Sequence, residues 1–355
     1  MTDKRDLKAW AREHFQGYEN VLMPSFSRDL STLDEEGIRR DVRRTIDHGF
    51  FSTLCSVETG LSFDEKQRFL EIAAAEAGDD ISVAFSLAGD TLEENLALLD
   101  HAERVGCTHA LLSYPHGFRP RSEDEIWDYA SAICESTSLG IYLFTSDKFA
   151  FHRFHPSGVP FGVVDRLVEL DNVIGIKVGG FDSGMIVECF ERYSKKVLVA
   201  CLHLGLFPLT VRHYGQQWSG AWTVEALQTP EQPRAVDYFQ LLRAGREDEA
   251  MELYWSLAPA LGTMGRLMAP LVPTGAYHWP QLKYFQWLSG GNGGMTRQPA
   301  MRLYQRDLDA VKGGFRASGY EITTDPDDAF FTGRTFAASR EPAGAGAAAD
   351  EKGSR

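Results

Sequence analysis

A lysine at the end of an apolar run is the most chemically pointed feature of this sequence. The segment Val173-Ile-Gly-Ile-Lys-Val-Gly-Gly180 reads as a buried strand that carries Lys177 near its end and is followed by two glycines. An ammonium set into an apolar wall is costly. Desolvation lowers its pKa, and the neutral amine that results can attack a carbonyl and form a Schiff base. The competing reading is a lysine that snorkels to a rim, with its stem buried and its charge in water. A second run, Gly140-Ile-Tyr-Leu-Phe-Thr145, carries Tyr142. Its hydroxyl can shuttle protons if it faces the same space; otherwise it is a packed aromatic with a satisfied hydroxyl. His203, in Cys201-Leu-His-Leu-Gly205, ends a third run and is a further candidate. Cys55 ends another, and no neighbouring base in the sequence marks it as a nucleophile.

Such residues need elements that bring them together. Short apolar runs at 20–26, 50–55, 81–86, 109–113, 140–145, 173–178, 197–202 and 217–222 alternate with helix-period segments. Those segments are 34–47, 64–77, 91–105, 123–136, 161–170, 183–193 and 206–214. Thr32 with Glu35, and Ser62 with Glu65, have the spacing of capping boxes. Eight βα repeats predict an α/β fold of the TIM (β/α)8 barrel type, in which catalytic groups gather at the carboxyl ends of the strands. An open doubly wound sheet is the rival. It calls for a glycine-rich phosphate loop after the first strand, and here that strand continues Ser25-Phe-Ser-Arg-Asp. The expected organisation is an N-terminal helix or arm over 1–15 and the barrel over 16–232. A C-terminal helical extension over 233–320 and a tail over 321–355 follow. The Ala/Gly-rich end of that tail cannot bury a core and is expected to be disordered.

Composition removes whole classes of function. The 355 residues hold 36 Lys and Arg against 50 Asp and Glu, a net charge of −14. Without a cationic block the chain is not expected to bind nucleic acid. Its most apolar stretch, 197–209, is too short to span a bilayer. The charged first residues lead into no secretory h-region. Five cysteines without metal spacing read as reduced thiols, so a cytoplasmic protein is expected.

Several segments, taken in order, resemble one family. These are Leu22-Met-Pro-Ser-Phe26, the helix and exit over 34–49, Leu61-Ser-Phe-Asp-Glu-Lys66 and Ala110-Leu-Leu-Ser-Tyr-Pro115. The Gly-Ile-Lys strand at Lys177 and Gln281-Leu-Lys-Tyr-Phe with Thr296-Arg-Gln-Pro299 complete the set. Their order and spacing over roughly 16–320 resemble the dihydrodipicolinate synthase / N-acetylneuraminate lyase family, lysine-dependent class I aldolases and lyases on a TIM barrel. The resemblance implies that Lys177 forms the Schiff base and that Tyr142 is the proton-relay tyrosine. The protonated imine then serves as electron sink, so neither a cofactor nor a metal is expected. It also implies a small-molecule 2-oxo acid and an aldehyde as reactants, and a homo-oligomer, dimer or tetramer.

Three departures from the family pattern sharpen the expectations. The family's Gly-Thr-Thr-Gly-Glu loop, which holds the pyruvate carboxylate, is replaced by Thr53-Leu-Cys-Ser-Val-Glu-Thr-Gly60. Thr53, Cys55, Ser56 and Thr59 are the expected substrate contacts there, the hydroxyls serving as donors. The stretch over 146–157, rich in aromatic and basic residues, replaces a Pro/Gly-rich loop. It reads either as a pocket wall for a bulky or aromatic substrate or as an edge loop packed on a neighbouring subunit. After Pro115 stands His116 where the family often has tyrosine; His116 and His203 are the remaining expected substrate contacts, and Arg119 reads as a surface arginine.

The function expected is a lyase or aldolase that joins Lys177 to a pyruvate-type 2-oxo acid, with a hydratase-aldolase on an aryl or extended 2-oxo acid favoured by the loop. The alternatives are a dehydratase or lyase of a deoxy sugar acid and a non-catalytic, metabolite-binding relative. A metal-dependent barrel lyase using Glu58, His116 and His203 is the remaining rival.

Overall fold

In the computed structural model of the chain, residues 6–271 and 278–338 are described. Helix α1 (Leu7–His14) precedes strand β1 (Gly17–Leu22). Then come α2 (Glu35–Asp47), β2 (Ser52–Cys55), α3 (Phe63–Ala77), β3 (Ser82–Leu87), α4 (Leu92–Val105), β4 (His109–Leu112) and α5 (Glu123–Ser136). They are followed by β5 (Gly140–Thr145), α6 (Phe161–Leu167), β6 (Val173–Val178), α7 (Ser183–Tyr193), β7 (Leu198–Cys201), α8 (Phe207–Tyr214) and β8 (Trp218–Ser219). Beyond the strands lie α9 (Arg234–Arg243), α10 (Glu247–Met268), α11 (Trp279–Leu288), α12 (Gln305–Ala317), α13 (Asp327–Thr332) and α14 (Arg334–Ala338). The end of the chain, for which disorder is expected from sequence, lies outside the described residues.

The eight strands run parallel in the order β7-β6-β5-β4-β3-β2-β1-β8. Side chains help close the remaining seam between β7 and β8. The Ser219 hydroxyl donates to the Cys201 carbonyl at 2.9 Å, and the Gln216 amide donates to the carbonyls of Cys201 and Trp218 at 3.1 Å each. The result is a nearly closed TIM barrel with helices around it.

Strand parity decides what faces the interior, because successive side chains point to opposite sides. Leu54, Ala84, Leu111, Tyr142, Leu198 and Trp218 share an inner cluster with Leu7, Ala11 and Phe15. The latter three come from α1 and the turn after it, so α1 plugs one end of the barrel. The outer cluster, under the helices, takes Cys55, Phe85, Ala110, Ile141, Leu143 and Ile176. A register shift between β5 and β6 skips one residue: Ile141 pairs with Val173, but Tyr142 pairs with Gly175. The extra residue, Ile174, brings Lys177 opposite Phe144, as a bulge does.

Local chemistry explains the helix ends. Ser62 and Glu65 form the expected capping box at α3. At α2 the cap is Asp34 rather than Thr32: the Asp34 carboxylate accepts from the Gly37 N–H at 3.1 Å, while the Thr32 carbonyl is engaged with Ser27. Helix α10 passes through Pro259 and continues to Met268. Pro259 has no N–H to donate to the Trp255 carbonyl one turn back.

Candidate active site

Lys177 stands near the end of β6 and is 4% exposed. It lines a chamber of about 820 Å³, open mouth included, within the usual size of small-molecule sites. Leu54, Leu111, Phe144, Leu202, Trp222 and Trp279 give the chamber apolar walls. Ser56, Glu58, Ser86, Ser146, Lys148 and His203 add polar groups. Trp222 comes from the segment just after β8, and Trp279 from the first turn of α11.

Desolvation pushes the Lys177 ammonium below its ordinary range. Glu19 opposes this shift, Lys148 adds to it, and Glu58 opposes it. The amine makes no ion pair or side-chain hydrogen bond among the described residues; its recorded neighbour is the Phe144 ring, whose centroid is 5.9 Å away.

Below Lys177, inside the barrel, lies a carboxylate that the sequence reading passed over. Glu19 of β1 is fully buried. Its Oε1 accepts from the Tyr142 hydroxyl at 2.8 Å, and its Oε2 accepts from His109 Nε2 at 2.9 Å and from the Ser52 hydroxyl at 3.1 Å. Burial pushes Glu19 up, but the bonds from His109 and Tyr142 and the charges of His109 and Lys177 together hold it below its ordinary range. Burial, together with the Glu19 charge, pushes the Tyr142 phenol well above its ordinary value, so it stays a donor. The available signal was a glutamate one residue ahead of the first apolar run, inside Gly17-Tyr-Glu-Asn-Val-Leu.

The other expected contacts fall in different places. Ser56 and His203 line the chamber. His203 Nε2 donates to the Gly180 carbonyl at 2.8 Å, and its ring packs 4.8 Å from that of Phe181. Desolvation lowers its pKa, which keeps the imidazole neutral. Thr53 and Cys55 have the outward parity of β2, away from the chamber, because Ser52 and Leu54 take the inward positions. Thr59 turns its hydroxyl back onto the Ser56 carbonyl at 3.1 Å. His116 lies in a neighbouring cleft with Arg119, Tyr114 and Phe118. Glu58 and Lys148 line both spaces. Glu58 accepts from the Ser86 hydroxyl at 2.5 Å. Tyr142 does not line the chamber; its hydroxyl is spent on Glu19.

The aromatic stretch after β5 divides its residues. Ser146 and Lys148 reach the chamber. Phe149 and Phe151 are buried under the helices, packed edge-on against Tyr114 at 5.1 and 5.0 Å. The chamber's aromatic walls therefore come from Phe144, Phe181, Trp222 and Trp279 instead. Glu58, His116 and His203 do not converge: among the described residues no group of three or more His, Cys, Asp or Glu side chains is placed to hold a metal ion. Among the same residues no helix is long and apolar enough to cross a membrane.

Comparison with known proteins places the chain among relatives. The chain is similar to the N-acetylneuraminate lyase of Fusobacterium nucleatum, 24% identical over 304 residues, covering 84% of this chain and 97% of that one. It is also 24% identical to the 4-hydroxy-tetrahydrodipicolinate synthase of Methanopyrus kandleri over 248 residues, covering 69% and 79%. In structure it resembles the dihydrodipicolinate synthase of Oceanobacillus iheyensis, with a TM-score of 0.73 at 15% identity over 89% of this chain and 99% of that one. The sequence model of the dihydrodipicolinate synthetase family matches residues 14–253. The chain belongs to the dihydrodipicolinate synthetase family, whose members are Schiff-base class I aldolases acting on pyruvate.

Proposed function

We propose that this protein is a lyase or aldolase whose Lys177 forms a Schiff base with a 2-oxo acid carrying an aryl or otherwise extended apolar substituent. The observation that carries the reading is the Lys177 amine itself: desolvated, outside any ion pair among the described residues, and facing a chamber. The neutral amine adds to the keto carbon, the C–N bond forms, and the keto oxygen leaves as water. That water carries away one amine hydrogen and one proton taken up from solvent, and the other amine hydrogen stays on the iminium. That cation accepts the electron pair of the carbon–carbon bond one carbon further out and becomes a neutral enamine, while the carbinol carbon leaves as an aldehyde and gives up its hydroxyl proton; addition of the enamine to an aldehyde is the reverse.

The chamber's composition supports the choice of substrate. A sugar acid needs many groups to bind its hydroxyls. Here Phe144, Phe181, Trp222 and Trp279 supply flat apolar surface, and Lys148, a lining cation, is a group suited to a substrate carboxylate. The family's habit of assembly supports a homo-oligomer, and the reduced, scattered cysteines support a cytoplasmic setting.

Borohydride trapping with pyruvate, read by intact mass and peptide mapping, tests the reading. A stable adduct at Lys177 that is lost in Lys177→Ala is expected. No adduct in the wild-type protein, or an equal one in Lys177→Ala, overturns it. Turnover of benzylidene pyruvates above that of deoxy sugar acids is expected, and the reverse preference overturns the choice of substrate.

A further inference from the structure

The geometry points to Glu19 as the built-in counter-charge of the cation formed on Lys177, with Tyr142 and His109 as the residues that position it. This inference rests on the Schiff-base reading of Lys177. The starting point is an electrostatic conflict. Before reaction the lysine must lose its charge, which burial favours. After reaction the same nitrogen is an iminium, and an unpaired cation in a buried site is costly. A fixed anion nearby resolves the second need, provided that it does not clamp the lysine as an ammonium beforehand.

Glu19 meets both conditions. The Lys177 Nζ and the Glu19 Oε1 lie 2.8 and 3.3 Å from the point where a Gly220 Cβ would stand. They are neighbours across a glycine, yet they do not close into an ion pair. Lys177 thus feels the charge without being locked by it. Glu19 is also poorly disposed to be a base. Its oxygens already accept from Tyr142, His109 and Ser52, and a carboxylate bonded by several donors resists protonation. His109 is fixed in turn by the Thr108 hydroxyl at 2.8 Å from Nδ1 and by the Phe15 ring at 4.6 Å.

This arrangement gives Tyr142 a different task from touching substrate. Its phenol is turned to Glu19, and Trp218 packs edge-on against it at 5.4 Å. Tyr142 holds the anion in place, and Glu19 acts on the nitrogen. The titratable groups that bond to or act on Glu19 are His109 from β4, Tyr142 from β5 and Lys177 from β6; the Cys55 thiol, on the outward side of β2, feels its charge. Lys148 and Glu58 also act on Lys177, with opposite signs, and His203 and His278 line the same chamber. Of the two carboxylates that act on Lys177, Glu58 lines the chamber and Glu19 does not.

The test does not depend on substrate. The rate at which acetic anhydride acylates Lys177 is followed against pH by peptide mass, in the full chain. In Glu19→Gln the midpoint is expected to fall by about one pH unit, a tenfold change in proton concentration, because a nearby negative charge has been removed. Glu19→Asp, which keeps the charge, is expected to restore most of that shift. If Glu19→Gln does not fold, Glu19→Met removes the charge without asking for hydrogen bonds and reads the same midpoint. A folded charge-free variant with an unchanged midpoint overturns the proposal. A second arm follows borohydride trapping with pyruvate. The whole pH window of trapping is expected to move to lower pH in Glu19→Gln, since the iminium loses its counter-charge. Absence of any wild-type adduct refutes the Schiff-base reading and with it the iminium role of Glu19, while the acylation midpoint still reports whether Glu19 governs the lysine.

Discussion

Gly220 makes room for Lys177: a Cβ at that position would lie 2.8 Å from the lysine Nζ and 3.1 Å from its Cε. The glycine sits just past β8, the shortest strand, and its missing side chain is what lets a long cation lie inside the barrel wall. In Gly220→Ala the flexible end of the lysine gives way rather than the backbone. Trapping with pyruvate is expected to slow at least about tenfold, ~1.4 kcal/mol of activation, while the urea midpoint stays near wild type. An alanine variant that traps at the wild-type rate would show that the amine works from another position.

The α3 cap gives a stability prediction independent of the site. The Ser62 hydroxyl accepts from the Glu65 N–H at 3.3 Å, and the Glu65 carboxylate accepts in return from the Ser62 N–H at 3.0 Å. Glu65 also receives a two-pronged bond from Arg297, at 2.6 and 2.9 Å. Ser62→Ala is expected to cost about 1 kcal/mol by urea unfolding. A cost near zero would mean that Arg297 alone fixes this helix end.

Phe330 anchors the segment after α12 to α11. It is fully buried, with its ring 5.1 Å from that of Tyr284 and 5.8 Å from that of Trp287. Phe330→Ala is expected to destabilise the whole fold by about 3–5 kcal/mol. A loss confined to a separate, earlier transition would show that this segment docks without joining the cooperative core.

Glu225 predicts a pH dependence. It is buried, accepts from Asn20 at 2.9 Å and Gln286 at 2.7 Å, and pairs with Arg44. Burial raises it to about 7 against the Arg44 charge, and Asp41 adds to the rise. Between its ordinary 4.5 and about 7 the folded protein holds a proton that the unfolded chain has released. This contribution is therefore complete at low pH and is lost as pH rises through that window. Urea unfolding at pH 5 and pH 8 checks the sign: Glu225→Gln is expected to reduce the fall in stability seen in wild type, and an identical fall in both would assign it to other groups.

Much of the architecture was legible because it rests on local patterns. The runs at 140–145 and 173–178 coincide with β5 and β6, and the helices at 123–136 and 183–193 coincide with α5 and α7. Lys177 was legible for the same reason: a lone cation inside an apolar run stands out. The cap at Asp34 was less legible, because both Thr32 and Asp34 suit a cap and only the path of the 25–34 loop engages the Thr32 carbonyl elsewhere.

By itself the sequence determined the barrel and the placing of Lys177 on a buried strand, because alternation of strand and helix and the cost of a buried charge are properties of neighbouring residues. The tertiary structure decided which way each strand faces. Parallel barrel strands are apolar on both sides, so Ser52-Thr53-Leu54-Cys55 does not announce its inward pair, and one step of register exchanges them. Closure of the barrel set Ser52 and Leu54 inward and Thr53 and Cys55 outward. The skipped residue between β5 and β6 brought Lys177 opposite Phe144. The same closure joined Glu19 to Tyr142, 123 residues away, a pairing that no local pattern encodes because it exists only once the first and fifth strands share one interior.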